Sequence, residues 1–360
     1  MNTPSRSRAL AVLGLLVSGC IPFGDFIPGE RCGHGDPLAV DPGFPEACRA
    51  SVAAKVEAET VYDAFVAMRG DKLLVRWGQV DRPTNLASVR KSVISVLYGI
   101  AAERGLIDLD ATLEQLGIDD APQPLTPEEK KATVRDLLGS RSGIYLPTLG
   151  ESSSWAERRP ARGSHAPGTF WFYNNWDFNA LGTIFEQTTN LTIGQAIAEW
   201  LAEPLGMQSF CPSHVTYQYA DFTEHPMWRV YMSAEDLARL GALMLQDGVW
   251  NGVQVVPSAW IAESTAAISE TDVELGASFF QYGYLWWLEP GTDRFWAIGS
   301  GGQFLIVDRA AGLVTVARNN TGVSIPGTLW YQIGQADDEA RASEMRALSV
   351  HEEVLSCDGW

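Results

Sequence analysis

Ser88 and Lys91 stand three residues apart in the run LASVRKSVISVLYGIAAERG. The apolar pattern of that run predicts a buried helix beginning at the serine, which puts a hydroxyl and an amine on one face, one turn apart. A serine becomes a nucleophile only when a base takes its proton. An amine held in an apolar helix becomes such a base when burial depresses its pKa. The pair therefore describes a serine hydrolase that needs no histidine. An S-x-x-K spacing alone recurs by chance about once in a chain of this length, so the surrounding segments decide its meaning.

A helix that opens at Ser88 leaves the Ser88 N–H without a ladder partner, pointing at the site with the helix dipole behind it, as one half of an oxyanion hole. Three further segments add to the pattern. PGTFWFYNNWDFNALG carries Tyr173-Asn174-Asn175 in a turn-rich stretch ahead of a helix, AIGSGGQFLIVD places Gly299, Gly301 and Gly302 just before an alternating strand, and YMSAEDLARLGALMLQDGVWNG lies between them. Other chemistries find little footing. His34, His165, His214, His225 and His351 show neither triad nor metal-ligand spacing, GSRSG near residue 141 has Arg at its centre and is no nucleophile elbow, and no phosphate-binding glycine loop is present. Trp155, Trp171, Trp176 and the pair Trp286-Trp287 read as core packing, since strand alternation sends only one of the last two to either face.

The elements that must position these residues follow from hydrophobic period and turn signals. Residues 21 to 50 are rich in Gly and Pro and read as a tether, with the fold starting near Ser51 and a helix over 51 to 60. YDAFVAMRG and DKLLVRWG form a β-hairpin across Gly70-Asp71, and the Ser88 helix closes at Gly105. TPEEKKATVRDLLGSRSGI reads as a helix, Tyr145 to Gly168 as a loop, and Asn179 to Thr188, Ile193 to Ala202 and Ser233 to Gln246 as further helices. Strands return at YGYLWWLE, RFWAIG, GGQFLIVD and GLVTVARN. Strands at both ends around a helical middle predict an α/β fold of the α+β type: an antiparallel sheet flanked by helices, from residues 51–105 and 247–360, with a mainly helical insertion at 106–246 and a site in the cleft between.

The chain has 360 residues, 46% of them apolar, and a formal charge of −18. It is large enough for a substantial core, and such a surface repels nucleic acid and anionic lipid. Its start, MNTPSRSRALAVLGLLVSGC, combines Arg6 and Arg8 with a short apolar stretch and a small pair before Cys20. It reads as a leader over 1–19, and the residues before Cys20 resemble a bacterial lipobox, with Cys20 lipidated and a tether over 20–50. Ile21, where inner-membrane retention places Asp, points in a Gram-negative cell to the outer membrane, facing the periplasm or the cell surface. Loss of Arg6 and Arg8 takes the charge from −18 to −20. Cys32, Cys48, Cys211 and Cys357 then remain, an even number in an oxidising compartment, open to three pairings. Cys32–Cys48, which closes a short loop, with Cys211–Cys357 is the expectation. The cysteine spacing does not fit a metal site.

Taken together, the S-x-x-K at Ser88, Tyr173-x-Asn175 and the glycine segment at 299–302 resemble the serine β-lactamase-like hydrolases: class C β-lactamases, DD-peptidases, family VIII carboxylesterases and nylon-oligomer hydrolases. The resemblance spans residues 55 to 330 and implies a β-lactamase/transpeptidase-like fold and no cofactor. It implies Ser88 as nucleophile, Lys91 and Tyr173 as the acid/base pair, with the Lys91 charge lowering the Tyr173 pKa, and Asn175 holding the Lys91 ammonium and one edge of the substrate. The third motif, Lys-Thr-Gly or His-x-Gly in penicillin-recognising members, aligns with Ala297-Ile298-Gly299, which makes the Ser300 N–H the second oxyanion donor. Ala297 departs from the cation that meets a substrate carboxylate there. The departure turns the expectation from β-lactam or D-Ala-D-Ala substrates toward small neutral esters or amides, with Arg90 and Arg229 as the cations that could act from elsewhere. A DD-peptidase or β-lactamase with another carboxylate anchor, and a binding lipoprotein without turnover, are the alternatives.

Overall fold

A computed structural model describes residues 30–275, 278–319 and 337–357. The leader and Cys20 lie outside the described residues. In chain order the strands are β1 (Ala64–Arg69), β2 (Lys72–Gly78), β3 (Thr84–Asn85), β4 (Val215–Ala220), β5 (Thr223–Met232), β6 (Val249–Trp250), β7 (Val253–Gln254), β8 (Ser269–Leu275), β9 (Ser278–Tyr282), β10 (Trp287–Leu288), β11 (Arg294–Gly299), β12 (Gln303–Asp308) and β13 (Leu313–Arg318). Eight of them form one antiparallel sheet in the order β2-β1-β13-β12-β11-β10-β9-β8. The fold is of mixed α/β type, with helices on both faces of this sheet.

The register explains why β11 to β13 read as nearly unbroken apolar runs. Ala297 pairs with Leu305 and Leu305 with Val316, so these side chains share one face. Gly241 of the Ala234–Leu245 helix packs on that face, close to Leu305 and Val314. On the other face Thr315 meets His351 of the Asp337–Ser356 helix, Oγ1 to Nδ1 at 2.9 Å. Every residue of β12 and β13 is buried, as expected for strands covered on both sides.

A smaller sheet, β3-β5-β4, stands beside the large one. Arg318 at the end of β13 ties the two together. Its Nε donates to Gln303 Oε1 at 2.5 Å, Nη1 to Met232 O at 3.0 Å, and Nη2 to Thr84 O, Thr84 Oγ1 and Asn85 O at 3.1, 2.6 and 3.1 Å. This clamp fixes β3 three residues before Ser88. Arg318→Met takes a donor from two buried carbonyls, Met232 O and Thr84 O, and from the part-buried Asn85 O, and unsatisfied buried groups cost about 1–3 kcal/mol each. Urea unfolding should show a loss of about 3–5 kcal/mol, and a loss under about 1 kcal/mol would refute the clamp.

Several expectations need correction. The segment from residue 30 to 45 is no free tether: Leu38 and Phe44 are buried, Val40 bridges Leu73, and the first helix, α1, is Glu46–Ala58. Sparse but well-placed apolar residues suffice to dock it. The disulfides are Cys32–Cys211 and Cys48–Cys357. They tie the segment at Cys32 to Cys211 and α1 to the residue after the Asp337–Ser356 helix, in keeping with the packing of α1 against that helix and the His34 N–H that donates to Met207 O at 2.9 Å. The helix read over 126–144 is a single 3-10 turn at Glu129–Lys131 and a short helix at Val134–Leu138, interrupted where Thr133 starts a new capping box with Asp136. Strand β10 is only two residues long, and the helical middle contains the β4–β5 hairpin. No helix among the described residues is long and apolar enough to cross a membrane.

Candidate active site

Ser88 stands at the entry of α2 (Val89–Glu103), and its hydroxyl makes no capping hydrogen bond. The turn that delivers it is unusual. Ala87 has φ +48°, a conformation costly for a residue with a Cβ. Neighbouring bonds over-determine it: the Ala87 N–H donates to Asn85 Oδ1 at 2.9 Å and the Leu86 N–H to Val230 O at 2.9 Å. The Ser88 oxygen, freed from capping, lies 2.9 Å from Lys91 Nζ, which is also 2.6 Å from Tyr173 OH. Ser88 is half-buried, while Lys91 and Tyr173 are buried.

Lys91 has an aromatic environment. Its Nζ lies 4.3 Å from the centre of the Tyr173 ring and 4.4 Å from that of Phe178, and no carboxylate pairs with it among the described residues. Burial first, and the adjacent Arg90 charge second, push its ammonium well below the ordinary lysine range. Tyr173 corrects an expectation. Burial pushes its phenol up to about 12, outweighing the Ser88 hydrogen bond and the Arg90 charge that pull it down. At neutral pH the site therefore holds an amine readily deprotonated beside a phenol that keeps its proton, so the amine is the stronger candidate for base.

The Tyr173 turn is built from buried polar groups. Ser140 Oγ donates to Phe172 O at 2.6 Å and accepts from the Asn174 N–H at 3.0 Å, while Asn174 Nδ2 donates to Ile144 O at 2.6 Å and Asp177 Oδ1 at 2.8 Å. Trp287 stacks on the Tyr173 ring at 5.4 Å and Trp155 lies 5.2 Å away. As alternation requires, Trp286 packs elsewhere, against Phe295. Asn175 opens the Asn175–Thr189 helix beside them, but Lys91 donates to Ser88 and Tyr173 rather than to Asn175. The Asn175 Oδ1 is buried without a partner among the described residues.

The third segment arrives from the sheet. A Cβ on Gly299 would lie 2.6 Å from Leu86 O and 3.1 Å from Ser88 N, so the end of β11 touches the start of α2 only because residue 299 has no side chain. Gly301 and Gly302 then turn the chain with φ of +82° and +81°. Among the described residues neither the Ser88 nor the Ser300 N–H has an acceptor. Ala297 is fully buried on the same face of β11.

Next to the site lies a cavity of about 670 Å³, walled by Trp155, Trp171, Phe172, Arg141 and the start of β8. Trp155 separates it from Tyr173, touching Tyr173 on one side and Trp171 and Phe172 on the other. Sequence reasoning missed Phe178, Ser140 and the Trp287 stack. Only the dense aromatic content around Tyr173 pointed to them.

A serine at a helix start within hydrogen-bond distance of a buried amine, beside the end of an inner strand of an antiparallel sheet, is the arrangement of a serine hydrolase. The chain belongs to the beta-lactamase family, whose sequence model matches residues 49–333. It is similar to the 6-aminohexanoate-dimer hydrolase of Paenarthrobacter ureafaciens, 27% identical over 282 residues, 69% of this chain and 70% of that protein. Among solved structures it is similar to a candidate 6-aminohexanoate-dimer hydrolase from Bacillus anthracis, with a TM-score of 0.62 and 18% identity, covering 92% of this chain and 91% of the other. A family VIII carboxylesterase aligns with a TM-score of 0.58 and 18% identity over 88% of this chain and all of the other. The chain is thus a serine hydrolase of the β-lactamase-like fold, acting on ester or amide bonds.

Proposed function

We propose that the chain cleaves its ester or amide through an acyl-enzyme on Ser88, with Lys91 as the base. The observation that carries this reading is the hydroxyl–amine–phenol chain, 2.9 and 2.6 Å long, with its amine buried and paired with no carboxylate among the described residues. Neutral Lys91 takes the Ser88 proton as Oγ attacks the carbonyl carbon, and the developing oxyanion receives the Ser88 and Ser300 N–H groups. Tyr173 then gives its proton to the departing alcohol or amine and regains one from the Lys91 ammonium, so the phenol never carries a lasting charge. Water reverses the sequence on the acyl-enzyme. Ala297, with no cation, weighs against a β-lactam carboxylate at β11. Two disulfides favour an oxidising compartment, in keeping with secretion and lipid attachment at Cys20 in the outer membrane.

Incubation with a fluorophosphonate, followed by intact mass and peptide mapping, tests the nucleophile. One adduct on Ser88, absent from Ser88→Ala, is expected, and an adduct elsewhere or none at all refutes the assignment. The labelling rate should also rise with pH through the depressed pKa of Lys91, because only the free amine accepts the proton. It should not fall again below pH 10, since Tyr173 holds its proton up to about 12. A bell with an alkaline limb near pH 9 would instead mean that the phenol must stay protonated against an ordinary or lowered pKa.

A further inference from the structure

Resting on the Ser88 reading, we propose that Arg90 is the recognition group for a carboxylate carried by the substrate. Arg90 is the residue between the nucleophile's neighbour and the base, and it is buried to 5% exposure. Of its five N–H donors, the structure assigns an acceptor to Nη1 alone, Ala87 O at 3.1 Å, while Nε and Nη2 are buried without one among the described residues. Those two nitrogens form one edge of the guanidinium, the edge that takes the two oxygens of a carboxylate side by side. No acid pairs with Arg90 among the described residues, and the Trp228 ring lies over the guanidinium at 4.9 Å, a face that orients it without neutralising it.

The other buried arginines show how far this departs from the rest of the molecule. Arg318 uses all three nitrogens on five acceptors, and Arg239 directs Nη1 and Nη2 to Leu205 O and Asp36 O, leaving its Nε alone without an acceptor among the described residues. Arg229, the other cation expected to serve the site, is half-buried and donates Nη2 to Gln218 Oε1 at 2.6 Å. A charged fork kept dry and unpaired is unfavourable for folding alone; it makes sense as a receptor. A Cβ on Gly150 would lie 4.0 Å from Arg90 Nη2 and 2.5 Å from Met227 Sδ, so the exposed Gly150 backbone and the buried Met227 thioether are neighbours of that nitrogen. Methionine repacks more readily than any other apolar side chain. A single guanidinium in a chain of charge −18 suits a singly charged carboxylate better than a polyanion.

The test uses p-nitrophenyl monoesters of succinic, glutaric, adipic and pimelic acids, each compared with its methyl-capped diester. Both members of a pair use the same base, so the ratio of their kcat/KM values is blind to any effect of Arg90 on Lys91. At one or more lengths the free acid should be preferred by at least about tenfold. Arg90→Gln should bring that ratio to about one or below, and Arg90→Lys should restore part of it. No preference at any length, or a preference that survives Arg90→Gln, overturns the proposal. Should no ester be turned over, protection of Ser88 from the fluorophosphonate by the free diacids gives the same comparison: protection lost in Arg90→Gln supports it, and protection absent or unchanged overturns it. Failure of the fluorophosphonate to label Ser88 at all is a failure of the nucleophile assignment, and is seen separately.

Discussion

Lys91→Met should lower kcat/KM on activated esters by about 10³–10⁴-fold and at the same time make the protein more stable. The rate falls because methionine matches the lysine stem in volume but cannot accept the Ser88 proton, and the phenol, pushed up to about 12, is a poor substitute. Stability rises because a buried amine with no carboxylate is a liability to the fold. With its folded pKa pushed below 10.5, the unfolded chain binds more protons than the folded one between the two values. Wild-type stability therefore increases with pH across that window and is penalised most below the depressed pKa. Methionine has no such window. The variant's advantage, about 1 kcal/mol or more by thermal or urea unfolding at pH 6, should shrink as pH approaches 10.5. A variant as active as wild type sinks the base assignment. An inactive variant that is less stable at pH 6 would mean that the amine contributes to the fold through bonds it does not make here.

Much of the site is legible in the chain because the chemistry lies on regular elements. Helical period alone puts Ser88 and Lys91 on one face, and strand alternation sends Trp287 and Trp286 to opposite sides. The glycines of 299–302 mark a turn from their type. What resists reading is whatever depends on distant partners. Pairing Cys32 with Cys211 requires knowing that residues 30–36 lie against Met207, and no local spacing encodes that. Strand β5 hides behind Pro226, which is tolerated because only β4 pairs with that end of the strand while β3 pairs with Tyr231 and Met232. The Asp337–Ser356 helix buries the narrow stripe Ala347, Val350, His351 and Val354, too thin to stand out in an acidic segment. The direction of the Tyr173 shift follows the same rule. A nearby cation is visible in sequence, but the aromatic enclosure that outweighs it is a property of the assembled core.

Gly299→Ala should reduce kcat/KM by about 10²–10³-fold while Ser88 remains in place and the fold survives. The added methyl would sit 2.6 Å from Leu86 O and 3.1 Å from Ser88 N, both backbone atoms that cannot rotate away. Either β11 withdraws from the entry of α2 or the Leu86–Ser88 turn moves. The turn is the more tightly held, through Asn85, Val230 and the Arg318 clamp behind β3. The strand end should therefore yield, carrying the Ser300 N–H away from the position that faces the developing oxyanion. Overpacking of this size costs about 1–3 kcal/mol, which the sheet, paired on both sides of β11, can absorb. The effect should lie in kcat rather than KM, because the oxyanion exists only on the way to the acyl-enzyme. Unlike Lys91→Met, the substitution leaves the base untouched, so the pH dependence of labelling should keep its midpoint while its plateau drops. A shifted midpoint would mean that Gly299 acts through Lys91, and an unchanged plateau would remove Ser300 from the oxyanion hole.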